Sequence, residues 1–372
     1  MHIGINLSFI RTSINVGVGL YTKQLIEGLL INDKENRYII FIQRNIYDQI
    51  KYLEKNRQVK ICVIKNIFPV KFRLINKLLN EYLILNYKIN KFKLDVYINP
   101  YTNIFSIIDV YAKNILVIHD IHFKYYPHYY NFLVRKILKW KIGYLLKKSN
   151  KIVTISNFVK NDLIKTYNII EDKKIQVIGN PVEIKKENYI EKKDNQKIKY
   201  ILSVNSFTEW KNQITLIKAF ERIKDKIPHK LILIGYGNPE KCITYIRKKN
   251  LNKRIEIKQY LTEEEIYIYY KNASLFVNTS LFEGFGRSNI EAGLMKIPVL
   301  TSSEMCLKEV SFNLLNYYRN ATDDIELSKR ILECLTEKFI SDDYLNKIKI
   351  KFELEYNKKE IGRKFLKVIN SL

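Results

Sequence analysis

The feature that most restricts the fold of this chain is a repeated alternation: short runs rich in Ile and Val, each followed by a longer stretch with apolar residues at helical spacing. A parallel strand covered on both faces reads as a continuous apolar run, and the helix after it must cross back over the sheet. Such runs lie near 2–10, 38–43, 59–65, 95–100, 114–120, 151–157 and 174–180, and again near 200–206, 229–237, 254–260, 273–280 and 297–301. The alternation predicts two doubly wound α/β sheets, and 372 residues is more than one hydrophobic core usually organises.

Between the two sets, residues 183–199 are dense in charge and poor in apolar side chains, the composition of an exposed linker. The expected organisation is a Rossmann-like domain over 1–183, a second over 184–355 and a last helix, 356–372, crossing back to the first. Helices are expected over 322–337, 341–353 and 357–371. Open parallel sheets bind ligands beyond the carboxyl ends of their strands, so a ligand site is expected in a cleft that both domains face.

With 47% hydrophobic and 13% aromatic residues the chain can fill two cores, which excludes intrinsic disorder. A net charge of +26 attracts anionic partners, although Lys, Ile, Asn and Tyr are abundant throughout, as a genome rich in A and T would make them. The lysines are dispersed and no nucleic-acid-reading module is present, so no specific nucleic acid is expected as partner. Cys62, Cys242, Cys306 and Cys334 are far apart and form no C-x-x-C pair, which predicts reduced thiols and no structural zinc. Residues 1–6 enter a strand-like run directly, and no uncharged apolar stretch reaches the ~20 residues of a membrane span. The expectation is a cytoplasmic protein that can still attach peripherally to a membrane.

The stretch 278–292 carries the most chemistry. A strand ends near Ser280, a turn holding Gly284 and Gly286 follows, and a helix is expected from about Ser288. Glycines let backbone approach a ligand, and the amides of the turn and the helix start, from Gly284 through Phe285 to Arg287, can donate to phosphate or sugar oxygens. Glu283 in the loop and Glu291 in the helix can each accept from hydroxyls. For Glu291 a second reading stays open, because Ser288-x-x-Glu291 also fits a capping box.

This E-x7-E pattern within E-G-F-G, followed by E-A-G-L-M-K-I-P-V, resembles the donor-binding signature of family 4 retaining glycosyltransferases. Lys296 stands where that family usually has glycine, and Gly293, Leu294 and Met295 also depart from it. Residues 203–220 resemble the family's V-G-T-x-E-P-R-K-N segment, with Ser206 and Trp210 in place of its usual residues and Lys211 matching its lysine. Residues 115–120 resemble V-x-x-I-H-D, which places His119 at a strand end. Gly17-Val18-Gly19-Leu20-Tyr21-Thr22 resembles the loop that opens the first helix, and 152–158 and 177–182 are family-like as well. Together the matches span roughly residues 1–340.

The resemblance implies the GT-B fold and a retaining transfer of a hexose from a nucleoside-diphosphate sugar, with GDP-mannose the first expectation and a UDP-sugar the second. The acceptor would be a glycan or lipid-linked sugar in bacterial surface polysaccharide synthesis. It further implies that His119 lies beside the transferred sugar, Glu283 holds sugar hydroxyls, Glu291 the ribose, Ile290 the base and Lys211 the diphosphate, with Ser206, Gly17 and Gly19 nearby. No cofactor or metal is required, since cationic groups and helix dipoles can balance the diphosphate. A non-catalytic, nucleotide-sugar-binding regulatory protein of the same fold is the alternative that the departures at Ser206, Trp210 and Lys296 keep open.

Two basic amphipathic segments, 70–93 and 132–148, have two readings each: a helix packed on its own sheet, or one lying on an anionic membrane and bringing a lipid-linked acceptor to the enzyme.

Overall fold

The structure is a computed structural model that describes residues 1–10, 13–15, 17–64, 83–101, 111–168, 172–184, 198–336 and 341–372. The chain divides into two compact units, one of residues 1–181 with 358–372 and one of residues 182–357. Most of the 183–199 linker and of the 70–93 segment lies outside the described residues.

Unit one holds seven parallel strands: β1 His2–Asn6, β2 Arg37–Gln43, β3 Val59–Ile64, β4 Val96–Asn99, β5 Lys113–Ile118, β6 Lys151–Thr154 and β7 Ile175–Val177, in the order β3-β2-β1-β4-β5-β6-β7. Unit two repeats the plan with six, β8 Tyr200–Val204, β9 Lys230–Gly235, β10 Ile255–Gln259, β11 Leu275–Asn278, β12 Val299–Ser302 and β13 Asn316–Tyr318, ordered β10-β9-β8-β11-β12-β13. In both sheets the strand order reverses beside the first strand of the unit, the place where doubly wound folds open a crevice.

Most strands stop short of the apolar runs that announced them. The run over 2–10 continues after β1 because Leu7 and Ile10 lie in a loop that is itself buried, at 0% and 6% exposure. Burial, and not extended backbone, is what that tail of the pattern records. β13 escaped the reading altogether, being three residues long with two of them only half-buried.

Unit one is closed by the C-terminal helix Lys358–Asn370, whose Ile361, Phe365, Val368 and Ile369 are buried. It crosses the first helix, Gly17–Asn32, at two glycines: a Cβ on Gly28 would sit 2.0 Å from the Lys358 carbonyl oxygen, and one on Gly362 would sit 2.2 Å from the Gly28 carbonyl carbon. The Asn32 side-chain amide donates to the Lys359 carbonyl at 2.8 Å and fixes the crossing. Unit two packs helix Gln213–Ile223 against Asp324–Thr336, the first over β9 and the second over β12 and β13, burying Leu216, Phe220, Leu327 and Ile331.

Candidate functional site

In unit two, backbone bonds tie two loops at the carboxyl end of the sheet. The Leu281 amide donates to the Trp210 carbonyl at 2.7 Å, and the Thr279 hydroxyl lies 2.9 Å from the Lys211 carbonyl. This stitching brings the Lys211 ammonium to 2.5 Å from Glu283 Oε1, with the two side chains 15% and 11% exposed. The Ser280 hydroxyl lies 2.9 Å from the same oxygen and 2.7 Å from Asn278 Oδ1, so its single proton serves one acceptor at a time. Lys211 and Glu283, 72 residues apart in sequence, are therefore one ion pair.

Below them runs a buried amide network. Asn278 Nδ2 donates to Asn289 Oδ1 at 3.0 Å, and Asn289 Nδ2 donates to Thr301 Oγ1 at 3.0 Å, so that β11, the following helix and β12 are locked to one another. All three residues are at most 2% exposed, where unpaired amides would be costly.

The helix over this network starts at Arg287, one residue before its expected start, and runs to Leu294. Its N-cap is Gly286 at φ 83°, and a Cβ there would meet Leu307 at 2.5 Å, so the turn needs glycine on two counts. No side chain caps this helix, and the Ser288-x-x-Glu291 capping box does not form. Ser288 lies inside the first turn, while Glu291 Oε1 accepts from Arg287 Nε at 2.8 Å and Oε2 from the Tyr270 hydroxyl at 3.2 Å. The helix start thus keeps the positive end of its dipole uncovered by a side-chain cap.

One residue corrects the sequence reading, and two others are limited by their surroundings. Ile290 is 0% exposed, so its side chain lies in the core of the unit and offers no face to a base. Phe285 is 3% exposed and packs edge-on against Tyr356 at 5.0 Å, which leaves its backbone and not its ring as the usable part. Ser206 is engaged locally: its hydroxyl lies 3.2 Å from that of Thr208 and its carbonyl accepts from Gln213 at 2.6 Å.

In unit one, His119 follows β5, its ring edge-on to Tyr21 at a centroid distance of 4.7 Å. Its Nε2 lies 3.0 Å from the Pro100 carbonyl. A carbonyl only accepts, which assigns the proton to Nε2 and leaves Nδ1 with a lone pair. Lost hydration pushes the imidazole down to about 4, against a smaller upward pull from that hydrogen bond. Tyr21 sits on the first helix, four residues after Gly17 at φ 52°; its hydroxyl is buried without a hydrogen-bond partner among the described residues, and burial raises its pKa. A Cβ on Gly19 would meet the Ile14 carbonyl at 2.8 Å, so this glycine serves the close turn before the helix.

Among the described residues no cluster of three His, Cys, Asp or Glu side chains has metal-binding proximity, and no helix is long and apolar enough to cross a membrane. The four cysteines are free thiols. Sequence reasoning missed Tyr270, Asn278, Asn289 and Ser280 as supporting residues. Asn278, Ser280 and Asn289 lie within the motif stretch itself, whereas nothing in the pattern marks Tyr270.

Two family models match the chain: "Glycosyltransferase Family 4" over residues 17–186 and "Glycosyl transferases group 1" over residues 185–351. Among curated relatives, an O-antigen chain mannosyltransferase of Salmonella typhimurium is 28% identical over 53% of this chain and 54% of its own length. An N-acetylgalactosaminyltransferase of Campylobacter jejuni, named as acting on a diphospho-undecaprenol-linked sugar, is 27% identical over 66% of each. The chain therefore spans between about half and two thirds of the length of these two relatives. Among solved structures, Anabaena HepE in complex with UDP-glucose superposes with a TM-score of 0.73 at 15% identity over 100% of both chains, a likeness of fold alone. With abutting family models over 17–351 and two parallel sheets of this topology, the chain belongs to the group 1 and family 4 glycosyltransferases and has the GT-B fold.

Proposed function

We propose that this protein is a retaining hexosyltransferase that takes its sugar from a nucleoside diphosphate and passes it to a hydroxyl of a glycan or lipid-linked acceptor in bacterial surface polysaccharide synthesis. The observation that carries the reading is the Lys211–Glu283 pair beside the uncapped start of helix Arg287–Leu294. An ammonium and a helix dipole suit a diphosphate; a carboxylate beside glycine-turn amides suits sugar hydroxyls.

In this reading Lys211 turns from Glu283 to the diphosphate when donor binds, Glu283 is freed for the sugar, and Glu291 accepts from the ribose hydroxyls. The sugar C1–O bond to phosphate breaks while a C1–O bond to the acceptor forms on the same face. The acceptor proton passes to the departing phosphate oxygen, and the free nucleoside diphosphate leaves. Lys211 stabilises the charge that develops on this leaving group. His119, by the family resemblance, lies beside the transferred sugar; its neutral imidazole accepts a hydrogen bond at Nδ1 without adding charge. No metal or other cofactor is needed in this scheme.

GDP-mannose is the first donor to try, in keeping with the mannosyltransferase relative, and UDP-sugars the second. The place of work is the cytoplasm, peripherally on the inner face of the plasma membrane, where a lipid-linked acceptor is at hand. Thermal shift against GDP, UDP, ADP and their sugar conjugates tests the donor. One nucleotide family at 100 times its dissociation constant should stabilise the protein by about 2.7 kcal/mol. No shift with any of them overturns the reading.

A further inference from the structure

Helix Phe132–Lys148 has two apolar faces. Ile142, Leu145 and Leu146 are buried at 4% exposure or less. That is the one stripe a helix needs in order to pack on its own unit. On the other side Leu133, Ile137 and Trp140, spaced i, i+4 and i+7, are 65%, 46% and 68% exposed, and Phe132 beside them is 55% exposed. Among the described residues of the unit this second stripe covers nothing.

The charges on this helix are all cationic. The 17 residues of the helix contain no Asp or Glu and carry Arg135, Lys136, Lys139, Lys147 and Lys148 outside the buried stripe. The Lys136 ammonium lies 4.5 Å from the centre of the Phe132 ring, and Trp140 stacks on Tyr144 at 5.9 Å. A groove beside the stripe is lined by Lys136, Lys139, Trp140, Gly143, Tyr144 and Lys147. A Cβ on Gly143 would come to 3.3 Å from the Tyr167 ring.

We propose that this face of the helix docks on an anionic lipid bilayer, with Leu133, Ile137 and Trp140 entering the interface and the lysines facing lipid phosphates. The charge distribution selects this occupant. A nucleic acid would meet the lysines and stack on Trp140 but leave Leu133 and Ile137 uncovered, whereas a bilayer interface takes aliphatic groups, Trp and Lys together at one depth. The inference gives a surface to the membrane half of the proposed function and is independent of its transferase half.

The test is sedimentation of the full chain with vesicles of phosphatidylcholine alone or enriched in phosphatidylglycerol, at low and high salt. Binding should require the anionic lipid. Lys136→Glu with Lys139→Glu should lower it at least about tenfold, since each basic group near such a surface is worth about fivefold. Ile137→Ser with Trp140→Ala should lower it about tenfold as well, and by a factor that salt does not erase, because the contribution is apolar. The melting temperature and the nucleotide-induced shift should stay those of the parent, which separates docking from donor binding. A parent protein left in the supernatant at low salt, or apolar variants that bind as the parent does, would overturn the proposal.

In the second unit, we infer independently that Tyr270 is a positioning residue for Glu291. Tyr270 is 3% exposed, its ring stacked on Phe276 at 5.6 Å, and its hydroxyl donates to Glu291 Oε2 while Arg287 holds Oε1. Donors from two separate helices thus fix the plane of the carboxylate. This rests on the reading of Glu291 as the ribose ligand. Tyr270→Phe should raise the donor KM about fivefold, the worth of about one hydrogen bond, with kcat unchanged. It should also narrow by a similar factor the preference for GDP or UDP over the matching 2′,3′-dideoxy nucleotide, which a merely structural role would not do. An unchanged preference in Tyr270→Phe, where Glu291→Gln loses it, removes Tyr270 alone. If Glu291→Gln keeps the preference too, both roles fall.

Discussion

In unit one the His119 imidazole follows β5, held neutral by lost hydration, which outweighs the opposite pull of its bond to the Pro100 carbonyl. In unit two the groups beyond β8 and β11 are an ammonium and a carboxylate 2.5 Å apart, with a guanidinium and a second carboxylate on the next helix. Both sets stand at the carboxyl ends of parallel sheets. The imidazole avoids charge; the Lys211–Glu283 pair carries it and cancels it internally. A neutral imidazole is ready to hydrogen-bond without rearrangement, whereas in the proposed reading Lys211 exchanges partners before it meets a phosphate. A diphosphate bound in that way would compete with Glu283, which would lower affinity while holding both side chains near the places they would be used.

Glu283→Gln is the harshest test of that difference. It removes the carboxylate charge and keeps the shape, so transfer should fall by about two to three orders of magnitude, as for loss of a preorganised polar contact to a transition state. Nucleoside diphosphate should bind as well as before or better, because Lys211 no longer has a competitor. Initial rates and calorimetry on the same preparation check both halves. Retained turnover would mean that the pair is scaffolding.

His119 carries the pH dependence of unit one. Its pKa falls from 6.5 unfolded to about 4 folded, so between those values the unfolded chain holds more protons. Stability from the neutral imidazole is therefore fully present above about pH 6.5, declines as pH drops, and is gone below about pH 4; its upper limit is about 3 kcal/mol. Urea midpoints at neutral and mildly acidic pH should show this loss in the parent and a smaller one in His119→Gln. Equal losses would mean that the imidazole titrates in the fold as it does unfolded and would erase the contrast between the units.

Lys211→Met should weaken nucleoside diphosphate by about ten- to a hundredfold, the range of a charge-assisted hydrogen bond. Measured beside the Glu283→Gln affinity, this closes a cycle. If both variants lower nucleotide affinity, the exchange of partners is wrong and the pair binds as a unit.

The sequence carried the sheets because parallel strands buried on both faces leave apolar runs that no loop of ordinary composition imitates. It carried Lys211, Glu283 and Glu291 because they sit in dense motifs. It could not carry their pairing, since the contact between Lys211 and Glu283 depends on the stitching of residues 208–212 to 279–283 by Thr279 and Leu281. Tyr270 was silent because a Tyr on a helix looks like any core aromatic until its hydroxyl is seen to meet Glu291. Ile290 was misplaced for the opposite reason: a motif fixes spacing along a helix, whereas burial decides which face the side chain takes. The glycines at 28 and 362 gave no sign, because a helix crossing is a property of two segments 334 residues apart.

The smallest effect compares how the two units end a helix. In unit one, helix Asn157–Tyr167 ends on Asn168 at φ 48°, a residue whose short polar side chain tolerates left-handed backbone. In unit two, helix Arg287–Leu294 ends in a Schellman arrangement, with the Ile297 amide bonded to the Ala292 carbonyl at 3.1 Å and that of Lys296 to Gly293 at 3.0 Å. Lys296 takes φ 61° there, where a Cβ crowds the following carbonyl. Backbone geometry thus accounts for the family's usual glycine at this position, and the lysine here bears the strain. Lys296→Gly should raise stability by up to about 1 kcal/mol, while Asn168→Gly changes it by only a few tenths. Chemical unfolding of the two variants reads the difference. Nucleotide affinity should be the same in Lys296→Gly as in the parent, because the strain sits at the far end of the helix from Gly286 and Arg287; a changed affinity would place Lys296 in the donor site and make its departure from glycine a matter of binding.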